Sequence, residues 1–318
     1  MSMVICTLYE GHFHYGVAAL VNSLFSNDFK GDIFIGYRGD IPVWASTAKN
    51  NEMLTWEGAK TLSVTDNLNC HFLPIKTTNH FTNYKAGFML KIWEQCITNP
   101  AITGIVYFDP DIVNKCNWQF YERWIGCGVA LVHEIVWNDM APSHPKRHQW
   151  LAVAKQLGYD VKNKLNSQIN AGFIGISGER LDFLRMWNGL IKQAVLNYNF
   201  DMTKLAQSTD NSNLFSAGDQ DLLNLTAMCT TETISEFGPE GMDFISGGWL
   251  MSHATGSPKP WKKKFFTEAL MGNPPTRADK AYWQNVNGVI KCYKPMEIKI
   301  QRYSILVASF IGRFYNRS

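Results

Sequence analysis

The chain has 318 residues, 46% of them hydrophobic and 18% charged, with a formal net charge of +3 and a pI near 8.4. Those proportions suit an ordinary globular protein with a sizeable core, and so mild a positive balance argues against a nucleic-acid partner. No apolar run reaches the roughly 18–20 residues that a membrane-spanning helix needs, and the seven scattered cysteines, an odd count with no Cys-x-x-Cys pair, read as the reduced thiols of a cytoplasmic protein.

The start, MSMVICTLY, runs straight into a strand-like segment without the basic region and cleavage site of an export signal. Met3 to Tyr9 is predicted as a buried strand. After EGHFHYG, the residues Val17, Leu20, Val21 and Leu24 recur at the helical spacing i, i+3, i+4, i+7. Asp32 to Tyr37 is the next strand, which makes a βαβ unit with a parallel pair. Cys70 to Ile75 reads as a strand, Tyr84 to Ile97 as a helix, and Ile105 onward as a strand. Cys127 to His133 and Gly172 to Ser177 are further strands, and a helix is predicted from Glu179 to Asn197. The polar, aperiodic segment 199–217 reads as a loop, and Asp219 to Met228 as a helix opened by an acidic residue. The alternation predicts one α/β sheet with helices on both faces.

The segment IVYFDPDIV places Asp109 and Asp111 one residue apart at the end of an apolar strand. Two like charges that close repel, and burial sharpens the repulsion. Ligands of open α/β sheets bind beyond the carboxyl ends of the strands, and residues i and i+2 share a strand face. The pair therefore has the chemistry to hold a hard divalent cation. A solvated turn is the other reading, since Asp and Pro are ordinary turn residues. SHATGSPKPW, from Ser252, adds a histidine, a glycine three positions on and a lysine six positions on. Histidine ligates metals as neutral imidazole, glycine admits a close backbone approach to phosphate, and lysine supplies charge for a phosphate oxygen.

His253-x-x-Gly256-x-x-Lys259-Pro260-Trp261 resembles the HxxGxxKPW motif of the glycosyltransferase family 8 enzymes, the glycogenin-like and bacterial lipopolysaccharide galactosyltransferase group. Asp109-Pro110-Asp111 then resembles that family's DxD motif, NAGFIGIS from Asn170 its Asn-Ala-Gly strand, and GDQDLLN from Gly218 its Asp-Gln helix start. TLYEGHFHYGVAALVNSL, from Thr7, is similar to its first nucleotide-binding strand and helix. The resemblance implies a GT-A fold, a Rossmann-like mixed α/β sheet with helices on both faces. It implies a retaining hexosyltransferase that uses a UDP-sugar donor with Mn²⁺ or Mg²⁺. By position, Asp109, Asp111 and His253 would be metal ligands, and Gly256 and Lys259 would meet the diphosphate, as would Asp109 through the ion. Lys91, with Lys85 as the alternative, would reach the donor from the preceding helix. Thr7 and Leu8 would border the base, with Phe13 or Tyr15 packing on it. Asn170 and Ala171 would lie beside the sugar, and Asp219 and Gln220 at its reacting face. Gln220 is a poor nucleophile, which favours front-side attack over double displacement. Asp221, one residue on, is a further candidate carboxylate.

Other stretches carry weaker expectations. His133-Glu134 follows a strand end and is a candidate for the acceptor side. Ser143 to His148 holds two histidines four apart and reads as a solvated basic surface. After the catalytic domain, 1–265, the extension 266–318 is basic and aromatic. From Lys291 on it holds Lys291, Lys294, Lys299, Arg302, Arg313 and Arg317 against Glu297 alone, a local charge of +5. This pattern suits peripheral contact with an anionic membrane at its cytoplasmic face, and hence a glycolipid acceptor beside the carbohydrate and protein alternatives. A sugar nucleotidyltransferase would be expected to carry a basic glycine-rich loop after the first strand, which EGHFHYG lacks. A non-catalytic sugar-nucleotide or glycan-binding protein differs only in turnover.

Overall fold

A computed structural model describes residues 2–136 and 138–314. Tyr315 and Arg317 of the predicted basic tail lie outside the described residues.

Eleven strands form among the described residues. They are β1 (Ser2–Glu10), β2 (Gly31–Arg38), β3 (Lys49–Asn50), β4 (Lys60–Thr65), β5 (Leu68–Pro74), β6 (Ile102–Phe108), β7 (Ile112–Asn114), β8 (Val129–His133), β9 (Ile169–Ser177), β10 (Ile234–Phe237) and β11 (Met251–His253). The helices are α1 (His14–Ser26), α2 (Lys85–Gln95), α3 (Trp118–Cys127), α4 (Pro145–Gln156), α5 (Leu181–Asn197), α6 (Asp219–Cys229), α7 (Phe265–Leu270), α8 (Arg277–Gln284) and α9 (Pro295–Ile311). Nine strands make one mixed sheet in the order β10-β8-β9-β6-β1-β2-β5-β4-β3, and β7 pairs with β11 in a small antiparallel ribbon. The predicted β1–α1–β2 unit is present, with β1 and β2 parallel.

The period of two along β1 divides the core. Val4, Cys6 and Leu8 pack with α2, α5 and α6 on one face, through residues such as Phe88, Trp187 and Leu222. Met3, Ile5 and Tyr9 pack on the other with α1 and α3, through Val17, Leu20 and Tyr121. Both faces of the central strands are covered, which explains why they read as nearly continuous apolar runs. A third cluster joins α7, α8 and α9 to Ala19 of α1 and Val113 of β7.

Two features position the site. β9 lies antiparallel to β6, with Phe108 opposite Phe173. The chain leaving β6 therefore meets the chain entering β9, and the Asp109 amide donates to the Gly172 carbonyl at 2.7 Å. In the ribbon, His253 stands opposite Ile112, and the Ala254 amide donates to the Asp111 carbonyl at 3.0 Å. The Asp-Pro-Asp turn is thus clamped between two segments that are remote in sequence.

The expectation of a solvated basic surface at 143–148 is corrected. His144 caps α4, its Nδ1 accepting from the Lys146 amide, while Lys146 and Arg147 are buried. Lys146 pairs with buried Asp221 at 3.3 Å, and Arg147 donates to the Met140 and Ser167 carbonyls. Charge counts along a sequence do not reveal burial, and these cations are tolerated because each finds partners.

Candidate active site

Asp109, Asp111 and His253 each offer one ligand atom within 4.8 Å of the others. His253 Nε2 lies 3.2 Å from Asp111 Oδ1 and 3.8 Å from Asp109 Oδ2. Two carboxylates and one imidazole within that reach of one another suit a divalent ion of the Mg²⁺–Mn²⁺ type. The His253 ring fits because Gly172 has no side chain. A Cβ there would lie 2.5 Å from His253 Cε1. A similar need acts at Gly16 in the first turn of α1, where a Cβ would stand 2.1 Å from the Pro110 carbonyl oxygen. Helix α1 thereby seats directly against the Asp-Pro-Asp turn.

Cations offset the carboxylates. Lys259 Nζ is 2.6 Å from Asp111 Oδ2 and also donates to the Ala254 carbonyl. Burial alone would raise the Asp111 carboxyl, but His253 and Lys259 outweigh it and hold the group below the ordinary carboxylate range. Lys85, buried at the start of α2, has Nζ 3.1 Å from Asp109 Oδ1 and 3.6 Å from Asp219 Oδ2. It also donates to the Ala171 carbonyl at 2.9 Å. Burial would lower the Lys85 ammonium, yet Asp109 and Asp219 together raise it. One cation between two carboxylates is not enough for both. Burial, partly offset by Lys85 and reinforced by Asp109, pushes the Asp219 carboxyl up to about 7.

Of the two lysines considered on this helix, Lys85 is the one at the carboxylates. Lys91 lies elsewhere, with its ammonium 3.8 Å from the centre of the Trp56 ring. Tyr107, which the sequence reading did not single out, donates its hydroxyl to Asp109 Oδ1 at 2.9 Å. The signal was available, because Tyr107 is two residues before Asp109 on the same strand face.

A polar network stands next to this cluster. The Ala171 amide donates to Gln220 Oε1 at 3.2 Å. Glu134 Oε2 accepts from Asn170 Nδ2 at 2.6 Å and from Gln220 Nε2 at 3.4 Å. Asn170 Oδ1 accepts from the Gly172 amide. Glu134 so holds both amide side chains in one orientation. Asp221 faces away, committed to Lys146 and to the Ala217 amide.

Thr7 and Leu8 are buried in β1. Pairing of β1 with β6 stops at Cys6 opposite Tyr107, whereas pairing with β2 continues to Glu10 opposite Arg38. From Thr7 onward, one strand edge is thus free of β6. Phe13 packs edge-on against Trp261 at 5.6 Å, and Lys259 Nζ stands 5.8 Å from its ring. Tyr15 instead stacks on Tyr293 at 5.2 Å. Gly256 has φ +66°, the left-handed conformation that side chains resist. Its loop lines a cleft of about 640 Å³ together with His253, Pro274, Thr276, Arg277 and Lys280.

No protein-family model matches the chain, and no curated protein matches it in sequence. Solved structures do match in fold. The chain is similar to the apo structure of the WbbM bifunctional glycosyltransferase, with TM-score 0.54 and 14% identity, over 94% of this chain and 51% of that one. It is similar to the glycosyltransferase GlyE of Streptococcus pneumoniae TIGR4, with TM-score 0.50 and 14% identity, over 96% of this chain and 64% of that one. It is also similar to the galactosyltransferase LgtC in complex with donor and acceptor sugar analogues, with TM-score 0.50 and 14% identity, over 94% of this chain and 100% of that one. The chain thus spans about half of WbbM, under two thirds of GlyE and all of LgtC. The predicted α/β architecture stands: the fold is that of the GT-A glycosyltransferases.

Proposed function

We propose that the chain is a metal-dependent glycosyltransferase of the family 8 type, moving a hexose from a UDP-sugar to a carbohydrate, glycolipid or protein acceptor with retention of anomeric configuration. The observation that supports this most is the convergence of Asp109, Asp111 and His253 from separate segments onto one point, with Lys259 beside it. A Mn²⁺ or Mg²⁺ ion held by these three side chains would stabilise the departing diphosphate as a Lewis acid.

The remaining roles follow from the chain's own groups. Gly256 lets the loop backbone approach a phosphate, and Lys259 offers an ammonium to a phosphate oxygen. The free edge of β1 from Thr7 gives a nucleobase backbone groups to read, beside Phe13. Lys85, in place of Lys91, balances the charge of Asp109 and Asp219 beneath the sugar. Asn170 and Gln220, pinned by Glu134, present fixed amides to the sugar, and Asp219 binds its hydroxyls. Because the amide of Gln220 is a poor nucleophile, the acceptor hydroxyl attacks from the face the diphosphate leaves. The bond from the acceptor oxygen to the anomeric carbon forms as the bond from that carbon to the diphosphate breaks, and a diphosphate oxygen takes the hydroxyl proton.

The test is a donor-hydrolysis screen. The protein is incubated with UDP-, GDP-, ADP- and CMP-sugars in Mn²⁺ or EDTA, and released nucleotide is measured. Slow UDP release from one sugar, lost in EDTA, is expected. No release from any donor, together with no calorimetric binding of UDP and Mn²⁺, overturns the reading.

A further inference from the structure

The polar segment 199–217 contains no strand and no helix, yet it is fastened to the starts of both α2 and α6. Asn83, two residues before Lys85, is buried. Its Nδ2 donates to the Met202 carbonyl at 3.1 Å and to the Lys204 carbonyl at 2.8 Å, so both N–H groups of the amide are used. The His80 amide donates to the Met202 carbonyl as well. One residue further on, the segment lies against Gly218, which precedes Asp219. A Cβ at Gly218 would stand 2.9 Å from the Leu205 carbonyl oxygen and 3.4 Å from Asn83 Oδ1, and its φ of +64° is one that side chains resist. The first anchor thus reaches from the start of α2 to the residue that opens α6.

The second anchor is Lys146 of α4, which is 3% exposed. Its ammonium donates to the Asn211 carbonyl at 3.2 Å, to the Asn213 carbonyl, and to Ser216 Oγ at 2.9 Å. It pairs with Asp221 Oδ2 at 3.3 Å. Asp221 in turn accepts from the Ala217 amide at 3.1 Å and from Gln168 Nε2 at 3.4 Å. A cation this deep is tolerated only with its partners in place, so Lys146, Asp221 and the end of the segment form one unit. Asp219 and Gln220 are flanked by Gly218, backed by the first anchor, and by Asp221, held by the second. We infer, resting on the glycosyltransferase reading, that Asn83 and Lys146 are positioning residues of the transfer. Through the segment 199–217 they hold Asp219 3.6 Å from Lys85 and set Gln220 at the sugar, while touching no substrate themselves. The groups proposed to hold the ion and the diphosphate come from other segments, so the anchors act on turnover and not on donor binding.

The experiment uses the full chain and two variants. Asn83→Asp keeps the shape of the side chain and removes both donors. Lys146→Met/Asp221→Asn removes both buried charges, so that neither is left unpaired. If the double variant does not fold, Ser216→Ala, which takes one acceptor from Lys146, replaces it. Hydrogen exchange read by mass spectrometry follows residues 215–222, donor hydrolysis gives kcat, and calorimetry gives UDP and Mn²⁺ affinity. Exchange over 215–222 should quicken in each variant, including Asn83→Asp, whose change lies more than 130 residues away in sequence. The kcat should fall about 10- to 100-fold, the cost of a small misplacement, with UDP and Mn²⁺ affinity kept. Unchanged exchange over 215–222 in Asn83→Asp overturns the coupling. Quickened exchange with wild-type kcat leaves the anchors merely structural and overturns the positioning role. Absence of donor hydrolysis and of UDP binding in the wild type fails the glycosyltransferase reading instead, and exchange then decides by itself whether residues 83 and 146 hold the start of α6.

Discussion

Lys85 is the buried cation between Asp109 and Asp219. The raised carboxyl of Asp219 gives a pH prediction. Its value near 7 in the fold exceeds the ordinary 3.8, so the folded state binds the proton more tightly than the unfolded one. The contribution of this group to the stability of the metal-free protein should be greatest below about pH 4, fall as pH rises to about 7, and then level off. The loss from this group is at most about 4 kcal/mol. Asp219→Asn should flatten that slope in denaturant unfolding measured across pH; an unchanged slope would assign it to other groups. At Asp111 the expectation is different. Asp111→Ala should abolish metal-dependent UDP release while circular dichroism stays native, since this carboxylate meets the polar groups of His253 and Lys259 and belongs to no apolar cluster of the core. Retained turnover would remove Asp111 from the metal set. Lys259 is a charged partner of Asp111, so the same variant should also lose Mn²⁺ binding by calorimetry.

At the scale of elements, topology explains why Lys85 rather than Lys91 stands at the site. A helix feeding a sheet strand runs back along it, so its first turn lies at the end where the strand's carboxyl terminus emerges. Asp109 follows the carboxyl end of β6, and only the first turn of α2 is near it. Lys91 sits six residues further on, about 9 Å down the axis. Helical periodicity alone does not separate the two, but strand order does. The ribbon of β7 and β11 is the other decisive element. Three residues each are too few to be legible as strands, yet their register sets His253 against the Asp-Pro-Asp turn. Gly172 lets that happen. Gly172→Ala should push its methyl into the His253 ring, weakening Mn²⁺ affinity about 10- to 100-fold and costing about 1–3 kcal/mol of stability. Calorimetry and thermal unfolding read the two effects separately, and a variant with unchanged Mn²⁺ affinity would show that His253 accommodates the methyl.

For the whole molecule, the C-terminal helices pack on α1 through an apolar cluster and are also tied to the first βαβ unit by one buried amide side chain. Buried Asn22 of α1 donates to the Asn285 and Ile290 carbonyls, and accepts from the Ile290 amide at 2.8 Å. Gly288 leaves room for it, since a Cβ there would meet Asn22 at 2.6 Å. Around this point Trp283 donates to the Pro260 carbonyl, and Lys263 pairs with Asp279 at 2.8 Å. Asn22→Ala strands three backbone groups and should cost about 2–4 kcal/mol, seen as a lower unfolding midpoint. An unchanged midpoint would mean that the helices contribute little to the stability of the sheet.

By itself the sequence determined the alternating elements, the two-sided burial of β1, and the residue types gathered at Asp109, Asp111, His253, Gly256 and Lys259. These are local matters of periodicity and composition, and they survive without knowledge of neighbours. Tertiary structure decided what depends on distance. It chose Lys85 over Lys91, tied Glu134 to Asn170 and Gln220, buried Lys146 and Arg147, and fastened the segment 199–217 to Asn83 and Lys146. The physical reason is that a side chain's charge and partner are set by what folds against it. The antiparallel insertion of β9 and the pairing of β7 with β11 join segments that no local pattern connects.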